Sequence, residues 1–411
     1  MAMKLTKIAF RNISRNIRRS ILSGSAIAVS SMSIILLFAL LGGMQTDMAN
    51  NLKSYYTGEI RIRNTEFEKY ERYNPLHLGV DWKTIQPILD KNPSIKAATA
   101  RINFPASMYL GENNQAVQGV GVDFSRESDF IDFPSVLKAG KLPEAGKNEM
   151  LMGIALAKEL NLSIGDKVTL LSTTAARGSN AITLTLVGIA AFPVASLNTT
   201  TLWAPLDRIQ HFLKMDTSAQ EILINVKEGI QERQEALTIQ KEILAKTNVQ
   251  TEVKAWKDIN SMYGLFEMAN VIYYFIGAFF LFLGSTVIIN TTMMIIFERM
   301  REIGTLSALG MKGSELTLLF FLEGLFISII GAGIGVLIGT GLVQYLGVVG
   351  MNFTDAMSGI DLEISSILYP SLSLGKIILI YLYSVLISSA ATFIPSRRAS
   401  KIEPVEALRY V

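Results

Sequence analysis

The chain has 411 residues, half of them hydrophobic and 18% charged, with a formal net charge of +3 and a mean hydropathy of +0.35. At roughly 150 residues per domain that is room for about two to three domains, and the balance implies membrane spans joined to a substantial soluble part rather than either alone. The weak charge does not point to nucleic acid. The absence of cysteine excludes disulfides, thiolate metal sites and cysteine nucleophiles, and the two histidines, His77 and His211, are too far apart in sequence to make a His-rich metal site.

Residues 1–20 read as a cytoplasmic amphipathic helix. Leu5, Ile8, Phe10, Ile13 and Ile17 supply its apolar side, and Lys4, Lys7, Arg11, Arg15, Arg18 and Arg19 suit an anionic leaflet. The uncharged run Ile21–Met44 that follows has the length of a spanning helix, roughly 20 residues. It exceeds the roughly 7–15 apolar residues of a signal-peptide core, so it reads as an uncleaved first span over 21–46. Three further spans are expected at 269–297, at 316–346 with the single charge Glu323, and at 376–396. Thirteen basic residues flank these spans on one side, whereas the short loop 347–375 carries none and holds Asp355, Asp361 and Glu363. By the positive-inside rule both termini, the loop 298–315 and the tail 397–411 are cytoplasmic, and residues 47–268 are exported. The expected fold is therefore an α-helical membrane protein with four transmembrane helices in a 1+3 arrangement. A large mixed α+β domain of two subdomains, one inserted in the other, stands between the first two spans.

Within the exported segment, Gly58–Arg63 alternates like a strand and Trp82–Leu89 reads as a helix closed by Asn92-Pro93. Lys96–Leu110 and Gln115–Val122 make a hairpin around residues 111–114. Ile154–Leu160 is a short helix, Lys167–Leu171 and Ile182–Ile189 are strands, and Ser172–Asn180 between them is an exposed loop. Glu221–Val226, Ile230–Lys246 and Val249–Val253 form a β-α-β unit. Hydrolytic motifs are missing: there is no G-x-S-x-G elbow and no H-E-x-x-H helix. Glu66, Glu68 and Glu71 read as a solvated face rather than a catalytic pair.

Between spans two and three, Ile303, Leu306 and Leu309 recur at helical spacing and Gly310 is a natural helix stop. A short helix with an exposed apolar knob, pinned between two spans, transmits force through rigid packing. No G-x-x-x-x-G-K-[ST] loop occurs, so any nucleotide-driven work requires another subunit. In span three, Gly331, Gly335 and Gly339 form a small-residue ridge for close helix approach, within the subunit or in a dimer. Glu323 faces protein or water, or snorkels to the cytoplasmic interface. Asn290 suits an interhelical hydrogen bond.

Several stretches together resemble the FtsX-like (MacB/LolC/LolE) permeases of ABC transporters. They are the opening Ile8–Ile13, the segment Glu298–Gly310, Leu322-Glu323-Gly324 at the entry to the Gly-rich span, the stretch Gly140–Leu171, and the ending Pro395–Ser400 with Glu403–Arg409. The resemblance covers the layout of the whole chain and is closest to the lipoprotein-releasing branch. It implies a bacterial inner-membrane permease with a periplasmic domain. The chain itself would hold no cofactor, and ATP and magnesium would sit on two copies of a separate ABC ATPase. A second permease, the same or homologous, would complete the dimer. The implied action is mechanotransmission, most simply extraction of lipoproteins from the outer leaflet, with MacB-like efflux of peptides or drugs and FtsX-like control of cell-wall hydrolases as alternatives. Glu298, Arg301, Glu302, Ile303, Leu306, Leu309, Gly310 and Met311 are then the expected ATPase-coupling residues.

A lipoprotein releaser also needs a lipid-facing cavity, for which Phe38, Leu40, Leu41, Val271 and Phe275 are the candidates, flanked by Ile34, Leu36, Leu37, Ile272, Tyr273 and Ile276. One departure matters. The LolC type recruits a periplasmic carrier through a long Pro-containing hook, and Ser172–Asn180 here is short and proline-free. The hook therefore does not carry over to this chain, a periplasmic carrier stays open as a partner, and a LolE-like role or an undivided ancestral permease fits as well.

Overall fold

Long uncharged runs become long helices and short alternating runs become strands, and the chain sorts accordingly. In a computed structural model the described residues are 2–15, 17–110, 113–247, 249–259, 261–353 and 364–399. The turn residues Gly111 and Glu112, the acidic residues Asp355, Asp361 and Glu363, and the tail motif from Ser400 onward lie outside them. The main helices are, in chain order, α1 (Ala2–Arg15), α2 (Ile17–Asn51), α3 (Trp82–Leu89), α4 (Leu206–Leu213), α5 (Glu232–Lys246), α6 (Ser261–Glu298), α7 (Met300–Ala308), α8 (Gly313–Val349) and α9 (Leu374–Ala399). The chain divides into two compact units, one of residues 1–45, 265–351 and 368–411, the other of 46–264 and 352–367.

In the first unit α2, α8 and α9 contribute three helices long and apolar enough to cross a membrane, within Ser20–Thr57, Gly313–Val349 and Leu374–Arg398. The expected second span falls in α6, a continuous helix in which several side chains lie outside the described residues and Val271–Phe280 is the described apolar stretch. Ile34, Ile35 and Ala39 of α2 pack with Val336 and Val343 of α8 and Ile380 of α9. Asn290 of α6 is exposed.

The second unit is built on ten strands: β1 (Ile60–Asn64), β2 (Ile95–Leu110), β3 (Asn113–Val122), β4 (Leu137–Gly140), β5 (Glu149–Gly153), β6 (Lys167–Thr173), β7 (Ser179–Ala190), β8 (Thr201–Pro205), β9 (Glu221–Val226) and β10 (Thr251–Ala255). They join in the order β10-β1-β9-β2-β3-β8-β5-β7-β4, and β6 pairs with both β2 and β7. Strands β2, β3, β8, β5, β7 and β6 therefore close a ring. Alternate residues point into it, among them Phe104, Met108, Met150, Leu170, Leu186 and Leu202, and make one core. On the outer face of the same strands Leu151, Val122 and Trp203 belong to a second core. The open end, β10-β1-β9-β2, is covered by α3 and α5, whose Ile85, Leu89, Ile239 and Ile243 meet Ile60, Ile62, Ile222 and Ile224. The 16-residue strand β2 runs through both parts.

One expectation is narrowed and one takes a split form. The exposed loop expected over Ser172–Asn180 is shorter: Ser172 pairs with Asn180 and Thr173 with Ser179, Ser172 and Thr174 are buried, and the turn itself is confined to 174–178, with 176–178 exposed. The polar composition of this segment reads as loop, but Ser172 donates to the Pro105 carbonyl at 2.7 Å, which keeps it inside the hairpin. The β-α-β unit is present in split form: β9, α5 and β10 follow in chain order, but β9 and β10 are not adjacent. Both pair antiparallel to β1, which lies between them.

Beyond α2 the chain continues as a π-helical stretch, Leu52–Thr57. Asp47 in the last turns of α2 accepts from the Ser365 N–H at 2.7 Å and from its hydroxyl at 2.7 Å. Asn51, one turn on, donates to Asp47 at 3.0 Å and to Ser365 at 3.1 Å. These bonds fasten the returning segment 364–367.

Candidate coupling site

The turn between α6 and α8 is assembled from the end of one helix and the start of the next. Arg299 leaves helical geometry, its N–H donating to the Ile296 carbonyl at 3.2 Å, and α7 begins at Met300. Met300, Ile303 and Gly304 are buried, and Ile303, only 2% exposed, packs with Ile296, Leu316 and Phe320. Leu306 is 37% exposed and Leu309 80%. Gly310 ends the helix at a φ of +94°, a left-handed position that strains any residue with a Cβ. There the Met311 N–H returns to the Leu306 carbonyl at 3.0 Å. The Lys312 N–H then donates to Glu315 at 3.0 Å and starts α8.

The expected single apolar face therefore divides. Steps of three residues fall about 60° short of a full turn each, so the stripe winds from the packed side at Ile303 to the open side at Leu309. Ile303 is an anchor, and Leu306 and Leu309 are the knob. Glu298, Arg301 and Glu302 lie on the exposed side, and Met311 is half-buried.

Behind this knob is a polar network that sequence reading did not anticipate. Asn12 of α1 donates to Glu323 of α8 at 2.5 Å. Arg299 donates to both Glu323 oxygens, at 3.2 and 3.4 Å, and to Glu302 of α7 at 2.8 Å. Arg15 of α1 donates to Glu302 at 2.5 Å. Five side chains thus tie α1, the turn, α7 and α8 together, and Glu323 faces protein rather than snorkelling. Burial pulls the Arg299 pKa down, but Glu323 and Glu302 outweigh it and hold the group above its usual range. Burial likewise pushes Glu302 up, and the bonds from Arg299 and Arg15 bring it below the usual carboxylate range. The only sequence signal was the number of basic residues in these flanks, which does not reveal partners.

The glycine ridge serves packing inside the chain. A Cβ on Gly331 would sit 2.7 Å from the Gly24 carbonyl oxygen, on Gly335 2.2 Å from that of Ala28, and on Gly339 3.0 Å from Ile35. All three partners are on α2. Two of the cavity candidates are also used internally. Leu41 is buried, and the Phe38 ring lies 5.4 Å from that of Tyr274 and against Gly277. Ile34, from the flanking set, is in the core with α8 and α9. An apolar side chain on a span meets either neighbouring helices or lipid, and composition does not distinguish the two. Leu40 is half-buried, while Val271 and Phe275 are 54% and 72% exposed.

In the second unit, buried charges are paired. Glu221 of β9 accepts from Arg63 at 2.6 Å and from Asn103 at 2.7 Å, with Arg61 at 3.9 Å. Burial raises its pKa, but the three arginines Arg63, Arg61 and Arg101 bring it below the ordinary range. Arg101 of β2 is bonded to Glu127 and to the carbonyls of Ser54 and Tyr55, so it caps the π-helical stretch Leu52–Thr57. Glu66, Glu68 and Glu71 pair with Lys69, Lys254 and Arg63, as a solvated face does.

Comparison with known proteins matches residues 20–239 to the MacB-like periplasmic core domain and residues 274–404 to the FtsX-like permease C-terminal domain. The lipoprotein-releasing system transmembrane protein LolC of Neisseria meningitidis is 23% identical over 407 residues, 95% of this chain and 94% of that protein. The macrolide export ATP-binding/permease protein MacB of Chlorobium luteolum is 24% identical over 98% of this chain and 59% of its own length. Among solved structures, the periplasmic region of MacB from Actinobacillus actinomycetemcomitans is 12% identical, covering 52% of this chain and 95% of that one at a TM-score of 0.38. The chain belongs to the FtsX-like permease family with a MacB-like periplasmic core domain, and is an ABC transporter permease of the FtsX/MacB/LolC type.

Proposed function

We propose that the chain is the permease subunit of a mechanotransmission ABC transporter that releases lipoproteins from the outer leaflet of the inner membrane. It would have four spans, cytoplasmic termini and a periplasmic domain divided into the ring and the open sheet as its two subdomains. Two copies of a separate ATPase dock on α7, and a second permease completes the complex. The observation that carries the docking reading is the division of α7: Ile303 fastened in the hairpin core, Leu309 held out to solvent. What favours lipoprotein cargo is the LolC relative, which this chain matches over nearly its whole length. The longer MacB relative keeps efflux as the second reading.

The test is reconstitution with the ATPase that copurifies, with photo-crosslinkers at Val271 and Phe275, the two exposed cavity candidates. Lipoprotein captured without nucleotide and lost on ATP addition supports release. Capture of a soluble peptide or drug selects efflux, and binding of a hydrolase activator with no cargo captured selects signalling. Leu309→Asp should abolish ATPase capture while the permease still inserts and folds, because the new charge lies in water until the partner arrives.

A further inference from the structure

We propose that Asn12 and Arg15 make α1 a positioning strut for α7, so that the N-terminal helix sets the orientation of the Leu306–Leu309 knob instead of serving as a membrane anchor alone. What α7 touches rests on the functional reading above; the strut itself does not.

Helix α1 is seated rather than loosely tethered. Leu5 and Ala9 are buried, and the Phe10 ring meets Phe326 of α8 edge to face at 5.9 Å. This departs from the simple amphipathic expectation, since Ile8, Phe10 and Ile17 remain largely exposed while small Ala9 is fully covered. From this seat α1 reaches two elements with two side chains. Asn12 bonds Glu323 at 2.5 Å on α8, and Arg15 bonds Glu302 at 2.5 Å on α7.

Helix α7 needs such support. At nine residues it is too short to hold its shape without tertiary contacts. Ile303 fixes one side of it in the hairpin core. On the other side Glu302 is the only carboxylate of α7 and is shared between Arg299 and Arg15. Glu302 and Leu306 are four residues apart, hence neighbours on one helix face. Whatever holds Glu302 therefore sets the rotation of the turn that presents Leu306. Arg299 alone is a local i,i+3 partner that turns with α7. Arg15 comes from a separate helix and supplies the external reference. Asn12 and Arg299 converge on the same Glu323, so α1 and the turn are referenced to one point on α8.

The test uses the full-length permease, with its ATPase, in membranes. The chain contains no cysteine, so introduced thiols are unique. Nitroxide labels at Ser307 and Thr317 report the α7–α8 distance distribution. In Asn12→Leu/Arg15→Ala this distribution should broaden, and ATPase capture should fall about fivefold, the upper end of what an exposed pair contributes. Arg15→Lys should keep both near the parent. In Arg15→Cys/Glu302→Cys, joining the two thiols with a short bismaleimide should recover capture that the unjoined pair lacks. An unchanged distance distribution overturns the strut, whatever the ATPase does. A broadened distribution with unchanged capture, or a joined pair no better than the unjoined one, overturns its positioning role. If the parent captures no ATPase, the functional reading fails, and the label measurement still decides the strut.

Discussion

Arg101→Met is the most demanding test of how the π-helical stretch Leu52–Thr57 is held. The guanidinium is 1% exposed, bonds Glu127, donates to the Ser54 and Tyr55 carbonyls, and lies 5.8 Å over the Trp203 ring. Its removal leaves the fully buried Glu127 carboxylate, among the described residues, with only the Thr99 hydroxyl at 3.1 Å. An uncompensated buried charge of this kind costs about 3–5 kcal/mol, a large part of the roughly 5–15 kcal/mol that stabilises a domain. The companion Arg101→Met/Glu127→Leu removes both charges. It should cost about 2 kcal/mol less than the single variant, because the desolvation penalty disappears with the carboxylate. The assay is urea unfolding of the protein in detergent with Trp82 and Trp256 replaced by Phe, followed by the fluorescence of the remaining Trp203, which is buried and stacked on Phe192 at 5.6 Å. A shifted midpoint at constant slope reports stability. A single variant costing under about 1 kcal/mol, or a double variant as costly as the two singles added, would refute the reasoning.

Gly335→Leu should separate α2 from α8. Its Cβ would sit 2.2 Å from the Ala28 carbonyl, backbone that cannot give way, and overpacking of this kind costs about 1–3 kcal/mol, read as accelerated thermal inactivation. Gly341→Leu, with open space around it, is the control expected to behave like the parent. Ile303→Asp should lower the stability of the membrane unit by several kcal/mol, since it places a charge in the hairpin core, whereas Leu309→Asp should leave thermal stability unchanged. Glu221→Gln addresses pH. The folded-state pKa lies below the ordinary 4.5, so the stabilisation is present above that value and is lost as pH falls through the folded pKa. The variant should be less stable than the parent at neutral pH and converge with it in acid, and parallel acid-unfolding curves would contradict the assignment.

The elements with strong local signals were legible before any coordinates. The long apolar runs became α2, α6, α8 and α9. The helix Trp82–Leu89 and the two strands of the long hairpin lie within a residue or two of their expected limits. The Gly310 stop has the positive φ that its chemistry prepares for. Strands β5 and β8 were not legible. Both faces of β8 are buried, Leu202 in one core and Trp203 in the other, so the sequence Thr201–Pro205 shows no alternation to read.

What the sequence determined by itself is therefore local: where charge is absent long enough to span, where apolar residues alternate, and where a glycine must stop a helix. Tertiary structure alone decided the closure of six strands into a ring and the choice of Ile303 as anchor and Leu309 as knob. It also decided the meeting of Asn12 with Glu323, 311 residues apart in sequence. Periodicity records which side of an element is apolar. It does not record what that side meets, because the partner is brought there by packing of the whole chain, and the balance of burial, pairing and close approach is set only at that contact.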